Sequence, residues 1–460
     1  MFLKLVCLVF FSISLRSNAE QQQEYEDFVI LFLSQPHAYL LSKLHNSTLL
    51  IRSQQDELIQ KYPNIRLSMT NSHDYASKVT NWYTIYPIFS TLLTKYSHLK
   101  FLFVCEIETR IDLIKLVDYS RTLANLSFVG HALYDTEPSI IHHYSFSKKA
   151  YPDPAAGILF SRQLLTTFID KLPSHSNKID FIIDIKYELV DIIEQLTSIK
   201  YLDQSNLFCN QHRPSLPSSC LTWNDWSIYN CQSSHIRLNH LYFGIKTFFD
   251  YHHKRVSLLK KTWLKNNLNY NLFSNKYDSS LKNILVLDGE NTVYGHCHKT
   301  FSILKYFNNS VDTRQKYLII VDDDTLLSVT RLLSLIQCFM LNDDVPVILG
   351  ERYGYGSYDY PTAGSGIIFN RPTVELLIEN CLCPQPDTPD DMFIGICLKR
   401  LKIRILHVNE FHQAQTTAYS NDWLKHQQPI SFHKFENIDV EQTYKMYLED
   451  KIIDNQNIEL

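Results

Sequence analysis

The sequence predicts an α/β protein built from two tandem copies of one domain. Three observations predict it. Residues 100–109 (KFLFVCEIET) and 316–325 (KYLIIVDDDT) each read as a buried apolar strand, then acidic residues, then Thr, then a helix-like stretch. Two further matches follow in the same order: Phe128-Val129-Gly130 with Ile348-Leu349-Gly350, and Ala156–Phe160 with Ser365–Phe369, with Arg162 and Arg371 behind them. Of the 460 residues, 45% are hydrophobic and 20% charged, which supplies apolar residues for large cores and excludes wholesale disorder.

The elements follow in chain order. Residues 1–19 (MFLKLVCLVFFSISLRSNA) carry Lys4, an apolar run from Leu5 to Leu15, and small residues at Ser17 and Ala19, the pattern of a cleaved secretory signal peptide. That run is about half of the ~20 apolar residues a membrane span needs, and no other stretch approaches that length, so no transmembrane anchor is expected. Residues 24–210 form the first copy. A linker is expected over 211–235, where Pro214, Pro217, serines and Cys220 cluster. The second copy, 236–445, opens with a strand over Ile236–Lys246 and a helix over Asp250–Asn266. After the two acidic segments, helices are expected with Ile111, Ile114, Leu116 and Val117 on the first apolar face, and Leu326, Val329, Leu333 and Ile336 on the second. The tail, 446–460, ends in Glu459-Leu460, a degenerate form of an endoplasmic-reticulum retrieval ending.

Charge and cysteines bound the setting. With 44 Lys+Arg against 48 Asp+Glu, the net charge of −4 excludes a basic nucleic-acid binder. Without Cys7 in the leader, the chain keeps an odd number of cysteines, so at least one stays outside intramolecular pairs, and their connectivity is not legible. Cys381-Leu382-Cys383 is too tight for an ordinary zinc site and favours disulfide chemistry. Sequons at Asn46, Asn125 and Asn308 fit the same compartment, the lumen of the endoplasmic reticulum.

The chemistry concentrates in the second copy. Asp322-Asp323-Asp324 follows the strand Tyr317–Val321, and carboxylates at i and i+2 on extended chain project to one side. Two such oxygens can hold a hard divalent ion; an acidic helix cap reads the same way. Asp390-Asp391 after Pro389 can supply a general base or cap a helix. His412, after the strand-like run Ile403–Val408, is a third metal ligand or a structural His. Gly364-Ser365-Gly366 lets a sugar approach the backbone closely. Lys299 reaches phosphates or lies on the surface.

Val321–Thr325, Leu349–Gly356, Pro389-Asp390-Asp391, Phe411–Ala414 and Pro429–His433, in this order, resemble the Fringe-related β-1,3-glycosyltransferases over roughly residues 240–440. The resemblance implies two GT-A-like domains, the first degenerate, with nucleotide-sugar bound at the carboxyl ends of the strands. It implies UDP-glucose as donor, Mn²⁺ with Mg²⁺ as the alternative ion, and O-linked fucose on thrombospondin type 1 repeats as acceptor. Carried over by position, Asp322, Asp324 and His412 hold the metal, and Asp323, Thr247, Arg255 and Lys299 contact the nucleotide-sugar. Asp391 is the base, with Asp390 its alternative. In the first copy Glu106 and Glu108 stand for the acidic triplet, Asp184 falls near Asp390, and Phe208-Cys209 falls where Phe411-His412 would align. That half is therefore expected to be inactive. Rival readings are transfer of N-acetylglucosamine or galactose, a catalytically dead lectin or folding factor, and a glycosidase using Asp324 and Asp391 as a carboxylate pair.

Overall fold

A computed structural model describes residues 25–450 except 76–85, 146–148, 173–180, 212–216, 225–228, 230, 232–234, 266, 288–294, 340–343 and 357. The signal peptide and the Glu459-Leu460 ending lie outside the described residues. Among the described residues no helix is long and apolar enough to cross a membrane.

Two mixed sheets organise the chain. The first has the strand order Leu202–Asp203, Phe128–Gly130, Ile158–Ser161, Leu99–Glu106, Glu26–Leu33, Ile65–Asn71. The second runs Ile405–His407, Ile348–Gly350, Ile367–Asn370, Tyr317–Asp322, Leu241–Lys246, Tyr270–Ser274, Ile284–Val286. Strand for strand the order is the same, with one extra edge strand in the second. The one antiparallel member is the same too: Ile158–Ser161 in the first sheet and Ile367–Asn370 in the second. Their central strands read as continuous apolar runs because helices cover both faces. Phe101–Cys105 and Tyr317–Val321 are accordingly buried.

The likeness extends to single hydrogen bonds. Thr109 Oγ1 donates to Ala155 O (2.8 Å) and Thr325 Oγ1 to Gly364 O (2.7 Å). Thr222 Oγ1 donates to Ala156 O (2.7 Å) and Ser431 Oγ to Ser365 O (2.6 Å). Gly157 (φ 91°) and Gly366 (φ 102°) both hold a left-handed turn before the antiparallel strand, a conformation that a Cβ would strain.

Three expectations change locally. Residues after each acidic segment are not yet helix: Thr109–Ile111 and Thr325–Leu327 are short strands, and the helices begin at Leu113 and Val329. Each short strand finds an antiparallel partner far along the chain, Thr222–Asn224 and Ser431–His433 respectively. Thr222–Asn224 thus pairs into the first half although it falls in the segment read as a linker. The helix expected over Asp250–Asn266 is broken into a 3₁₀ turn (Phe249–Tyr251), a π-helical turn (His252–Val256) and an α-helical turn (Ser257–Lys261). Such wide turns re-aim side chains, and this one presents Arg255 to the acidic triplet.

Three disulfides form: Cys209–Cys220, Cys231–Cys338 and Cys297–Cys383; Cys105, Cys381 and Cys397 are free and buried. The two halves meet at the carboxyl edge of the first sheet. Gln35 donates to the His407 carbonyl (2.9 Å) and accepts from its N–H (2.8 Å), and Asn409 Nδ2 donates to Glu106 (3.0 Å). His131 bonds Asp422 (2.6 Å), and Lys186 sits 3.6 Å from the Trp423 ring centre. Of the sequons, Asn125 is exposed in the turn before Phe128–Gly130, whereas Asn46 and Asn308 lie within helices Ala38–Arg52 and Cys297–Ser310.

Candidate active site

The site forms at the carboxyl edge of the second sheet, where apolar strands end in charged residues. Parallel register sets Lys246 beside Asp322. The buried Lys246 ammonium lies 3.1 Å from Asp322 and 2.8 Å from Asp390. Burial disfavours its charge, yet the two carboxylates hold its pKa well above the ordinary lysine range. One residue on, Thr247 Oγ1 donates to Asp323 (2.7 Å), and Arg255 reaches both Asp323 and Asp324 at 2.9 Å. Burial raises Asp323 to about 6 against those two hydrogen bonds. Lys299 Nζ donates to the Thr247 carbonyl (2.7 Å); burial and the charge of Lys246 lower it to about 8. Thr247, Arg255, Lys299 and the acidic triplet are thus brought to one place.

The expected third ligand is not. His412 is fully buried, with Nε2 on Gln427 Oε1 (2.9 Å) and rings of Tyr419, Trp423 and Phe432 around it. Burial drives it to about 3, so it is a neutral core side chain. His433 takes the position instead. Strand pairing sets it opposite Thr325, and its Nε2 lies 3.2 Å from Asp324 and 3.6 Å from Asp322. Ligand atoms of Asp322, Asp324 and His433 all fall within 4.8 Å of one another.

The donor set fits a divalent ion. His433 Nδ1–H donates to the Gln413 carbonyl (3.0 Å), which leaves the Nε2 lone pair turned toward the carboxylates. Two carboxylates and one imidazole suit Mn²⁺ or Mg²⁺. Burial opposes a charge on His433, but the hydrogen bond and charge of Asp324 still raise its pKa.

Gly364, Ser365 and Gly366 do not form an open sugar pocket. All three are buried, and a Cβ at Gly364 would lie 2.3 Å from the His433 ring. The Ser365 N–H donates to Gln413 Oε1 (2.8 Å). Their small size lets His433 close over the loop rather than a sugar.

Asp390 and Asp391 separate cleanly. They open the helix Asp390–Leu401. Asp390 accepts from Lys246 (2.8 Å) and Thr300 (2.5 Å); those partners outweigh burial and hold it at about 2. Asp391 is half-buried and bonds the Met392 N–H (2.7 Å); burial and the Asp390 charge raise it to about 7. A permanently ionised, saturated carboxylate thus stands beside one poised near neutrality. Lys246 and Thr300, which fix that difference, were not assigned from sequence. Their role depends on contacts more than 50 residues away in the chain, as Lys246 to Asp390 illustrates.

The first half departs at the matching points. Asn224 stands opposite Thr109 where His433 stands opposite Thr325. The counterpart of the histidine beside the triplet is therefore Asn224, not Cys209, which is in a disulfide with Cys220. Asp184 accepts from the Lys186 N–H as a helix cap (2.9 Å) and bonds His142 (3.1 Å).

Residues 236–451 match the family described as Fringe-like. The chain is 34% identical to a mouse beta-1,3-glucosyltransferase over 92% of its own length and 87% of that protein's, and 35% identical to the human beta-1,3-glucosyltransferase over 92% and 85%. It is 24% identical to the zebrafish beta-1,3-N-acetylglucosaminyltransferase manic fringe over 38% of its own length and 56% of that protein's. A mixed α/β fold with an acid-rich carboxyl edge, matched along nearly its whole length, places this chain in the Fringe-like beta-1,3-glucosyltransferase family, as a beta-1,3-glycosyltransferase.

Proposed function

We propose that the chain transfers glucose from UDP-glucose to the 3-hydroxyl of O-linked fucose on thrombospondin type 1 repeats, with inversion, in the lumen of the endoplasmic reticulum. The observation that carries this reading is the pairing, on one sheet edge, of a three-donor cluster (Asp322, Asp324, His433) with the poised carboxylate Asp391. Glucose is preferred over N-acetylglucosamine because identity to the glucosyltransferase relatives is higher and spans far more of the chain.

Asp391 accepts the proton of the acceptor hydroxyl as that oxygen attacks the anomeric carbon. The new carbon–oxygen bond forms while the bond to the β-phosphate breaks, and UDP leaves. Asp390 and Lys246 keep charge fixed behind the base. Arg255, Thr247 and Asp323 orient the nucleotide, and Lys299 lies within reach of the diphosphate. Asp322, Asp324 and His433 would hold Mn²⁺, which when bound offsets the negative charge building on UDP.

The first half is proposed to be non-catalytic. Its Glu106 is engaged by Asn409, its matching histidine is Asn224, and its carboxyl edge is covered by Gln35–His407 contacts with the second half.

The test is to incubate the full lumenal chain with UDP-glucose, Mn²⁺ and an O-fucosylated thrombospondin repeat and read the product by mass spectrometry. One added hexose, lost with chelator and in Asp324→Ala, is the expected result. No gain with any UDP-sugar overturns the reading and leaves a glycan-binding folding factor. A gain only with UDP-N-acetylglucosamine or UDP-galactose replaces the donor.

A further inference from the structure

A second feature joins the two halves beside the candidate base. Arg352–Tyr355 and Tyr358–Pro361 form an antiparallel hairpin, and Phe181–Ile182 of the first half adds to it as a third strand. Register fixes which side chains share a face. Tyr353 pairs with Tyr360, Tyr355 with Tyr358, and Phe181 with Tyr355. Side chains alternate along a strand, so these five aromatic residues project from one face and Arg352, Gly354 and Asp359 from the other.

The rings form a continuous row. Centroids are 6.1 Å apart for Tyr353–Tyr360, 6.5 Å for Tyr358–Tyr360, 6.0 Å for Tyr355–Tyr358 and 5.9 Å for Phe181–Tyr355. The inner end lies at the site. Tyr360 packs on the helix that begins with Asp390-Asp391, where a Cβ at Gly395 would lie 2.5 Å from the Tyr360 Cβ. The Asp391 charge also acts on both Tyr358 and Tyr360, whose hydroxyls are held above the ordinary tyrosine range chiefly by burial. Exposure rises outward: Tyr360 at the inner end is 5% exposed, whereas Tyr355 and Phe181 at the outer end are 44% and 39% exposed. Large apolar groups left uncovered in a row mark a contact surface, not a core.

We infer that this aromatic face is the docking surface for the polypeptide part of the acceptor, and that the first half completes it through Phe181. The inference rests on the proposed function and deepens it. Continuity with Asp391 selects the occupant: the row starts against the helix that carries Asp391 and ends in two uncovered rings, so a chain attached to a sugar held at Asp391 has this face beside it. Length selects polypeptide over sugar alone. From Tyr360 to Phe181 the row takes three successive centroid spacings of 6.5, 6.0 and 5.9 Å, beyond a single sugar ring, so the protein meets Tyr355 and Phe181 while the sugar lies nearer Asp391.

The test uses the full chain carrying Phe181→Ala and Tyr355→Ala together, with Met446→Ala, exposed on another helix, as control. Two acceptors are compared: the folded O-fucosylated repeat and a small synthetic fucoside. Loss of two aromatic anchors is expected to lower kcat/KM for the folded repeat, relative to the small fucoside, by about tenfold or more. Met446→Ala keeps the wild-type ratio. Phe181→Tyr with Tyr355→Phe, which keeps both rings, restores it and excludes a folding defect. Wild-type transfer with an unchanged ratio in the double alanine variant overturns the docking inference alone. Absence of transfer by the wild type to either acceptor overturns the functional reading, and the inference with it.

Discussion

Asp390 and Asp391 are neighbours of the same type with opposite fates, and nothing in the Pro-Asp-Asp motif distinguishes them. The difference comes from Lys246 and Thr300, both remote in sequence, which saturate Asp390 and leave its charge to lift Asp391 to about 7. A base must be ionised to act, so kcat/KM should rise with pH through about 7 and level off above it. Asp391→Asn should cost about 10²–10⁴-fold in kcat and abolish the rise; an unchanged acidic limb in a pH–rate profile would remove Asp391 from the role. The two histidines make a second contrast. His433→Ala removes a proposed ligand, so the Mn²⁺ concentration for half-maximal activity should rise by more than the roughly 10–100-fold of an outer-shell change. His412→Ala should leave that concentration unchanged and instead lower stability by about 2–4 kcal/mol, read as a fall in Tm. The reversed pattern would restore His412 as the ligand.

At the scale of elements, the sequence made much of the fold legible. Apolar strands ending in acids, Gly-Ile/Leu-Phe returns and trailing arginines mark the same strands in both halves because local patterning and turn chemistry determine them. The Asp322–Asp324 triplet was legible for the same reason, at the end of an apolar strand; Thr247 and Arg255 followed only from the family resemblance, and Arg255 reaches the triplet from a π-helical turn well past the strand Leu241–Lys246. The strand pairing of Thr325–Leu327 with Ser431–His433 was not legible, since three-residue strands lack a period to detect and their partners lie a hundred residues away. That pairing, which local pattern does not reveal, is what brings His433 rather than His412 to the triplet. Disulfides were likewise beyond reach. Cys297–Cys383 fastens the helix carrying Lys299 and Thr300 to the chain leading into the helix of Asp390 and Asp391. Its closed loop is long, so Cys383→Ser should cost about 2–5 kcal/mol. Because both helices line the site, kcat should fall at temperatures well below the new Tm. A variant that loses stability but keeps wild-type kcat at low temperature would show the disulfide to be remote from the chemistry.

On the scale of the whole molecule, the second half is not self-contained. The segment that supplies Gln413, the residue orienting His433, begins at the edge strand Ile405–His407 and is clasped at His407 by Gln35 of the first half. Further along, Asn409 bonds Glu106, Asp422 bonds His131, and the Ala418 carbonyl accepts from Ser139 (2.9 Å). Removing the first half leaves these groups without partners and strips Phe181–Ile182 from the aromatic hairpin. A buried polar group that loses its partner costs about 1–3 kcal/mol, and several do so together. The cost falls on the same stretch that sets His433, so metal binding and folding should fail together. Expressed alone in an oxidising compartment, residues 211–460 should be poorly soluble, and any soluble fraction should need far more Mn²⁺ for transfer to a small fucoside than the full chain. Gln35→Ala in the full chain is the milder version: it keeps the fold but loosens one clasp, so the Mn²⁺ requirement should rise while the Km for UDP-glucose measured at saturating Mn²⁺ stays close to wild type. A soluble second half with wild-type metal dependence would show that the first half serves acceptor binding alone, and would confine its contribution to the aromatic face.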